Sequence, residues 1–223
     1  MQAINIKAVT IPDAWFQLIY NIFDYGREYK IDRGSFEGCK RLEYDFVTCE
    51  IAAPGIAPLI PEFPEWMNTP APVSQEYLDE YFAQLLTIEV PANTCYTYGQ
   101  YLKPQVDQII EIFKKTKNTN QCCATVGDVE SITLGDPPCL KVLDFNIKDG
   151  KLHMYIYFRS NDLYAGFPAN IAGLQLLKEY MCQEIGCDDG CIYYTSKGLH
   201  LYDYQYEIAK KRTNRSDYIL CPN

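Results

Sequence analysis

Two strand-like runs joined by Asp149-Gly150 constrain the fold more than any other feature of the chain. CLKVLDFNI (139–147) and KLHMYIYF (151–158) are both apolar-rich and alternate with polar residues. Asp-Gly favours the positive φ angles of a tight two-residue turn, so the runs are predicted to pair as an antiparallel hairpin. A chain built around such a hairpin needs a sheet, with helices to cover one face of it.

Helical periodicity occurs in separate stretches instead of alternating regularly with strands. It covers 14–25, 75–86, 105–118 and 173–186, with a last helix near the C-terminus. Two further strands are predicted in RLEYDFVTCEI (41–51) and CCATVGD (122–128), and the proline-rich residues 53–74 are predicted to be an extended surface or site-lining segment. This arrangement favours an α+β fold with a mixed sheet.

Length and charge narrow the function classes. The 223 residues, 48% of them hydrophobic, fit a single domain spanning 1–223. The net charge of -9 argues against nucleic acid as the main partner, although a small phosphorylated ligand needs only a few local arginines. We see no signal-peptide pattern and no membrane-length apolar run, so we expect a cytoplasmic protein without a membrane partner.

Ten cysteines are the most unusual part of the composition. Without a secretory signal, a disulfide framework is a poor interpretation. The densest group, Cys182, Cys187 and Cys191, does not have the close spacing typical of structural zinc sites. Reduced, mostly buried thiols are therefore the favoured interpretation, and a metal-binding protein stays an alternative.

Cys139 has sequence neighbours that favour a role as a nucleophile. Cys139 follows the stiff pair Pro137-Pro138, and Arg159 comes at the far end of the hairpin, where the two positions are expected to face each other. A neighbouring arginine favours the thiolate, which is the nucleophilic form of cysteine. A buried cysteine beside an arginine in a surface ion pair remains the alternative from spacing alone.

The stretch FRSNDLYAGFPANIAG (158–173) places many polar groups at a junction between strand and helix. Together with Pro138-Cys139, with Tyr98-Gly99 and with His200-x-Tyr202, it resembles the thymidylate synthase family over about residues 95–210. The N-terminal stretch Asp32-Arg33-Gly34-Ser35 is similar to the family's phosphate loop. The forms PPCL, FRSNDLYAGFP and SKGLHLYDY are most similar to the compact archaeal branch of that family.

This resemblance implies a bent mixed β-sheet packed with helices and a homodimer that packs sheet on sheet. It also implies reductive methylation of dUMP to dTMP, with a methylene-tetrahydropterin of the folate or methanopterin type as co-substrate and no metal. The implied catalytic residues are Cys139, Arg159, Tyr98 and a general base, for which we choose Glu62 in IPEFPEW (60–66), with Glu65 second. The implied substrate-binding residues are Arg33, Ser160, Asn170, His200 and Tyr202, and those on the co-substrate side are Asp162 and Gly166.

Asn170 carries the expected base preference. Its amide offers one donor and one acceptor, which can pair with O4 and N3–H of uracil together. A carboxylate at this position would suit cytosine, whose exocyclic amine donates. The residue therefore favours a uracil substrate.

The chain also departs from the family pattern. The paired arginines that the family donates to the phosphate across the dimer would fall near Asn120-Gln121, where the chain has none. Phosphate binding is then expected from Arg33 and Arg159, with Arg41 as a further candidate. Two alternative functions stay open, a pyrimidine-nucleotide 5-hydroxymethylase and a non-catalytic nucleotide-binding relative.

Overall fold

The fold is that of a computed structural model, which describes residues 1–64, 66 and 70–214. The strands in this part of the chain are β1 (Ala3–Ala8), β2 (Arg27–Lys30), β3 (Lys40–Glu43), β4 (Phe46–Ile51), β5 (Cys122–Thr125), β6 (Leu140–Lys148), β7 (Lys151–Phe158), β8 (Asn161–Asp162), β9 (Asp188–Ser196) and β10 (Leu199–Tyr202). The helices are α1 (Ile11–Tyr25), α2 (Gln75–Leu85), α3 (Tyr98–Lys115), α4 (Gly166–Ile185) and α5 (Tyr206–Arg212).

Six strands form the main sheet, in the order β1-β4-β9-β7-β6-β5. The pairs β1–β4 and β7–β9 are parallel and the others antiparallel, which confirms the predicted mixed sheet and α+β class. The central hairpin forms as predicted, with Asp149 and Gly150 at φ angles of 50° and 76°. These are left-handed values that a tight turn between twisted strands requires.

A smaller sheet, in the order β2-β3-β10-β8, lies where the site is built. β8 and β10 run parallel, with Leu199 opposite Asn161 and His200 opposite Asp162. This pairing brings the stretch after the hairpin next to the His-x-Tyr stretch, which lies about forty residues later in the chain.

Helix α4 is the most buried helix and packs on the inner face of the main sheet. Alternate residues of β7 point into this core, and Met154, Ile156 and Phe158 are all almost fully buried. Close packing of α4 against α2 requires Gly173, because a Cβ there would lie 2.4 Å from the Tyr81 ring. The helix is thus held in one position relative to the sheet, and its first turn lies at the site.

The opposite face of the main sheet is not covered by any helix in the described part of the chain. Tyr155 and Tyr193 stack there with ring centroids 5.0 Å apart, and Tyr155 is 36% exposed. None of the described helices is long and apolar enough to cross a membrane.

Three predicted boundaries were wrong. Residues 41–51 form two strands in different sheets, β3 and β4, because the chain changes direction at Tyr44 and Asp45. Helix α3 begins at Tyr98, not at 105, since the Thr97 side chain caps it and Pro104 is accommodated inside. Helix α4 begins at Gly166, not at 173, so the GFPAN stretch is its first turn.

Candidate active site

One cavity of about 290 Å³ brings together nine of the residues that the sequence singled out. It lies between the smaller sheet, the start of α4 and the turn before β6. The nine residues are Arg33, Tyr98, Cys139, Arg159, Ser160, Asp162, Asn170, His200 and Tyr202. Arg41, the further candidate for phosphate binding, lines it too.

Cys139 and Arg159 are neighbours across the end of the hairpin. The backbone N–H of Arg159 donates to the Cys139 carbonyl oxygen at 2.9 Å. The Arg159 guanidinium turns back and donates to the carbonyls of Pro137 and Pro138, the latter at 3.1 Å. The arginine therefore holds the proline turn that carries the thiol, and it still has N–H groups to offer a ligand.

Burial raises the pKa of the Cys139 thiol above its ordinary value, and Asp136 raises it further. The positive charges of Arg159 and Lys141 act in the opposite direction. The expected activation by Arg159 is thus present, but it is smaller than the effect of desolvation. In the described structure the resting group is the neutral thiol.

Tyr98 lies at the base of the same turn. Its hydroxyl oxygen accepts a hydrogen bond from the Leu140 backbone N–H at 3.4 Å. Burial raises its pKa, and the hydroxyl stays protonated at neutral pH. The phenol can therefore donate a hydrogen bond next to the thiol.

The amide of Asn170 is oriented by a chain of polar groups. Its Nδ2 donates to Oδ1 of Asn161 at 3.1 Å, and Asn161 in turn contacts the Tyr194 hydroxyl at 3.4 Å. One amide hydrogen and the carbonyl oxygen of Asn170 are left for a ligand. Gly166 is needed beside this pair, because a Cβ there would lie 2.9 Å from Asn161 Oδ1.

His200 presents a buried acceptor to the cavity. Its Nδ1–H donates to the Gly198 carbonyl at 2.8 Å, so Nε2 carries no proton, and Nε2 has no hydrogen-bond partner in the described structure. Burial lowers the pKa of the imidazole to about 4. A buried, unprotonated and unpaired nitrogen fits the hydroxyl of a ligand, which would donate to it.

The rim of the cavity carries the cationic groups. The loop that follows β2 contributes Arg33, with Gly34 at φ +108°. Arg41 is partly neutralised by Glu43, with Nε 2.7 Å from its carboxylate. Phe36, from the loop that carries Arg33, packs against Tyr202 with ring centroids 4.2 Å apart and the rings tilted by 33°. Three arginines around one concave surface can bind an anion such as a phosphate.

A second cavity, of about 470 Å³, adjoins the first. Asp162 and Asn170 line both cavities, and Gly166 lines the second. The far wall is formed by Pro72, Val73, Ser74 and Tyr77, so the end of the proline-rich segment lines a cavity.

Glu62 does not lie in either cavity. It is exposed and lines a third cavity, together with Leu78, Asp79 and other residues. The second choice for the general base, Glu65, lies outside the described residues.

Sequence reasoning passed over three groups at the site. Asn161 and Asp136 both line the nucleophile's cavity. Gln205 lines neither cavity, and its side-chain amide donates to the Asp162 carboxylate at 3.1 Å. Asp136 lies in the same turn as Cys139, three residues before it, so its place follows from the local sequence. Asn161 and Gln205 reach the site through pairing between distant parts of the chain, which no local signal shows.

The comparisons with known proteins agree with this geometry. The family model described as thymidylate synthase matches residues 70–222. The chain belongs to the thymidylate synthase family. Two archaeal proteins named "Putative thymidylate synthase" are similar along nearly the whole chain. The one from Methanococcoides burtonii is 33% identical over 92% of this chain and 93% of its own length. The one from Methanosarcina acetivorans is 31% identical over 92% of both chains.

The thymidylate synthase of Listeria monocytogenes is 32% identical over 52% of this chain and 37% of its own length. Thymidylate synthases are methyltransferases that act on dUMP with a methylene-tetrahydrofolate-type co-substrate, so the chain belongs to an enzyme family. Among the described residues there is no cluster of three or more His, Cys, Asp or Glu that could hold a metal ion.

Proposed function

We propose that this chain converts dUMP to dTMP by reductive methylation, through a covalent bond between Cys139 Sγ and C6 of the uracil ring. The observation that carries the proposal is the single cavity shared by Cys139, the oriented amide of Asn170 and the unpaired Nε2 of His200. These three groups can engage a ring carbon, the base edge and a sugar hydroxyl of one nucleotide.

The phosphate of dUMP is assigned to the cationic rim. Arg33, Arg159 and the Ser160 hydroxyl supply donors, and Arg41 adds charge that Glu43 partly neutralises. The arrangement does not depend on arginines near residues 120–121. His200 Nε2 accepts from the sugar 3'-hydroxyl. The Tyr202 ring packs against the His200 imidazole, with ring centroids 4.7 Å apart.

Attack by the thiolate forms the Sγ–C6 bond and moves an electron pair to C5 and O4, so that C5 becomes a carbon nucleophile. Asn170, and Tyr98 beside the thiol turn, are the neutral donors available near the ring. Because the resting thiol is neutral, its proton leaves as the Sγ–C6 bond forms, and the enolate oxygen O4 of the ring can accept it. Breaking the Sγ–C6 bond at the end of the reaction restores Cys139.

The carrier is assigned to the second cavity, next to Asp162 and Gly166. When bound, a methylene-tetrahydropterin supplies a one-carbon unit and the hydride that completes the methyl group. Asp162 fits such a carrier, since it lines both cavities and its carboxylate can accept from ring N–H groups of a pterin. The cavity of about 470 Å³ offers room for the ring system of a carrier of the folate or the methanopterin type.

Three carboxylates are candidates for the general base. Glu62 stays a prediction, because it is exposed in a neighbouring cavity in the described structure. Asp136 and Asp162 are the carboxylates that line the nucleotide cavity itself.

We also propose that two copies pack through the uncovered face of the main sheet. The stacked pair Tyr155 and Tyr193 lies at the centre of that face. Light scattering at micromolar protein should give about twice the chain mass of 25.7 kDa. A stable monomer would contradict this assembly.

Release of tritium from [5-³H]dUMP tests the reaction. We expect release that requires a methylene-tetrahydropterin, and a 5-methyl product with an oxidised pterin. A 5-hydroxymethyl product would show the hydroxymethylase instead, and dUMP binding without release would show a non-catalytic relative. With 5-fluoro-dUMP and the carrier, mass spectrometry should find the adduct on Cys139; an adduct on another cysteine would overturn the nucleophile.

A further inference from the structure

Gln205 lies behind both cavities and bonds to a residue of each half of the proposed site. Its side chain is buried, with 5% of its surface exposed. The carbonyl Oε1 accepts from the Tyr202 backbone N–H at 2.9 Å. The amide Nε2 donates to both carboxylate oxygens of Asp162, at 3.1 Å and 3.3 Å.

The two ends of this amide are not interchangeable. The Tyr202 backbone offers only a donor at that point, and an ionised Asp162 offers only acceptors. A single orientation of the Gln205 amide satisfies both, so the side chain is locked between them. Backbone N–H groups also donate to the Asp162 side chain: that of Tyr164 at 2.9 Å, and those of Ala165 and Gly166.

Under the proposed function, Tyr202 contacts the nucleotide, whereas Asp162 contacts the carrier. Tyr202 lines only the nucleotide cavity, whereas Asp162 is shared with the carrier cavity. The two residues lie on the paired strands β8 and β10. The Gln205 amide connects them by bonding to the Tyr202 backbone and to the Asp162 carboxylate. A change in one bond of Gln205 therefore acts on one half of the site.

We propose that Gln205 is a positioning residue that aims the Asp162 carboxylate at the carrier while it holds Tyr202 against the nucleotide. This inference rests on the proposed function, because it assigns the two cavities to dUMP and to a methylene-tetrahydropterin. Gln205 does not line either cavity, so it acts only through its two neighbours.

Two substitutions separate the two bonds. Gln205→Glu keeps an acceptor for the Tyr202 N–H but replaces the donor to Asp162 with a carboxylate that repels it. Gln205→Met removes both bonds at similar volume. We expect Gln205→Glu to raise the KM for the carrier by about 10-fold or more, with the Kd for dUMP within about 3-fold of the wild type. Gln205→Met should weaken the binding of both ligands.

Gln175→Glu is the matched control. Gln175 is also a fully buried amide that donates to two carboxylates, Glu179 and Asp189, each at 2.8 Å, but it lies further along α4 and outside both cavities. This control should lower the melting temperature and leave both ligand affinities unchanged.

Calorimetry measures the Kd for dUMP, and steady-state kinetics measures the KM of the carrier that supports wild-type turnover. 5-Fluoro-dUMP traps the ternary complex.

The proposal is overturned if Gln205→Glu leaves the carrier KM unchanged or weakens dUMP binding equally. If the wild type forms no ternary complex with methylene-tetrahydrofolate or methylene-tetrahydromethanopterin, the proposed function fails, and this inference fails with it. An intact wild-type complex with unaffected variants removes only the role of Gln205.

Discussion

The hydrogen bond from the Arg159 backbone to the Cys139 carbonyl places a cation and a thiol side by side at one end of a hairpin. The same arginine holds the carbonyls of Pro137 and Pro138, so its side chain supports the turn that carries the thiol. Arg159 is therefore expected to have two separable effects, on the position of Cys139 and on its ionisation.

Arg159→Gln should raise the pKa of Cys139 further, because burial already raises it and Arg159 is the main opposing charge. Since the thiolate is the reactive form, alkylation of Cys139 by iodoacetamide at pH 8 should slow by several-fold, up to about 10-fold for each pKa unit. Mass spectrometry across pH 7–10 follows the rate at this cysteine. Lys141→Gln, which removes a weaker opposing charge, should have a smaller effect; equal effects would contradict the assignment.

Asn170→Asp should change the choice of base. The substitution keeps size and shape but replaces the amide donor with an acceptor, which repels O4 of uracil and can accept from the amine of cytosine. A buried hydrogen bond lost in this way typically costs about 1–3 kcal/mol. We expect kcat/KM for dUMP to fall at least about 10-fold and the preference over dCMP to narrow or reverse. An unchanged dUMP/dCMP ratio would mean that other residues read the base.

Gly198→Ala should damage both stability and nucleotide binding. A Cβ at this position would lie 2.7 Å from the Arg159 backbone oxygen and 3.2 Å from Ser160 Cα. Relieving that clash must move β10 away from the stretch that carries the proposed phosphate contacts. We expect a loss of about 1–3 kcal/mol in unfolding free energy, measured by denaturant titration.

Gly135→Ala is the control for that substitution, because a Cβ there meets no atom within 4 Å. It should change the unfolding free energy and the dUMP affinity little. If Gly198→Ala changed the unfolding free energy as little as this control, the predicted contact at Gly198 would be relieved without cost.

His200 should remain neutral far below the usual pH of histidine titration. Burial lowers the pKa of the His200 imidazole in the folded protein to about 4, from an ordinary 6.5. Between these two pH values the unfolded chain therefore binds a proton that the folded chain does not bind. The folded protein should therefore lose stability as pH falls from about 6.5 toward about 4. The chain has two histidines, so NMR can follow each imidazole separately. Titration of His200 near pH 6.5 would contradict its burial as an acceptor.

Glu62→Gln tests the predicted general base. If Glu62 moves to the nucleotide and transfers the proton, tritium release from C5 should fall by about 100-fold or more, while dUMP affinity stays near that of the wild type. Asp79→Asn, from the same cavity, should leave release unchanged. Normal release in Glu62→Gln would move the role to another carboxylate.

Predictions from the sequence were most accurate for features that depend on residues close together in the chain. Asp149-Gly150 determines its own turn, and the helix predicted over 75–86 begins where the Ser74 hydroxyl oxygen accepts from the Tyr77 N–H at 3.2 Å. The motif around Cys139 and Arg159 needs only a hairpin to bring the two residues together. These features depend on interactions between residues close in sequence or related by a simple turn.

Other features could not be predicted, because they depend on packing between distant segments. A run such as 41–51 looks continuous, yet Tyr44 is buried with its hydroxyl donating to the Leu18 carbonyl at 2.7 Å, and the chain turns there into a second sheet. Desolvation of Cys139 likewise arises from neighbours that local sequence does not identify. The position of Glu62 depends on an irregular segment for which no periodic pattern exists.

The parallel pairing of β8 with β10 has a consequence for how the site can change. Asn161 N donates to Gly198 O at 3.0 Å and Leu163 N to His200 O at 2.7 Å, so main-chain bonds set the separation between the Ser160 region and His200. Side-chain substitutions that do not clash with this ladder, unlike Gly198→Ala, can alter the affinity of either end but not the distance between them. Accommodating a longer or shorter ligand would require the insertion or deletion of whole residues. Such a change would be tolerated best in the chain connections outside the β8–β10 pairing.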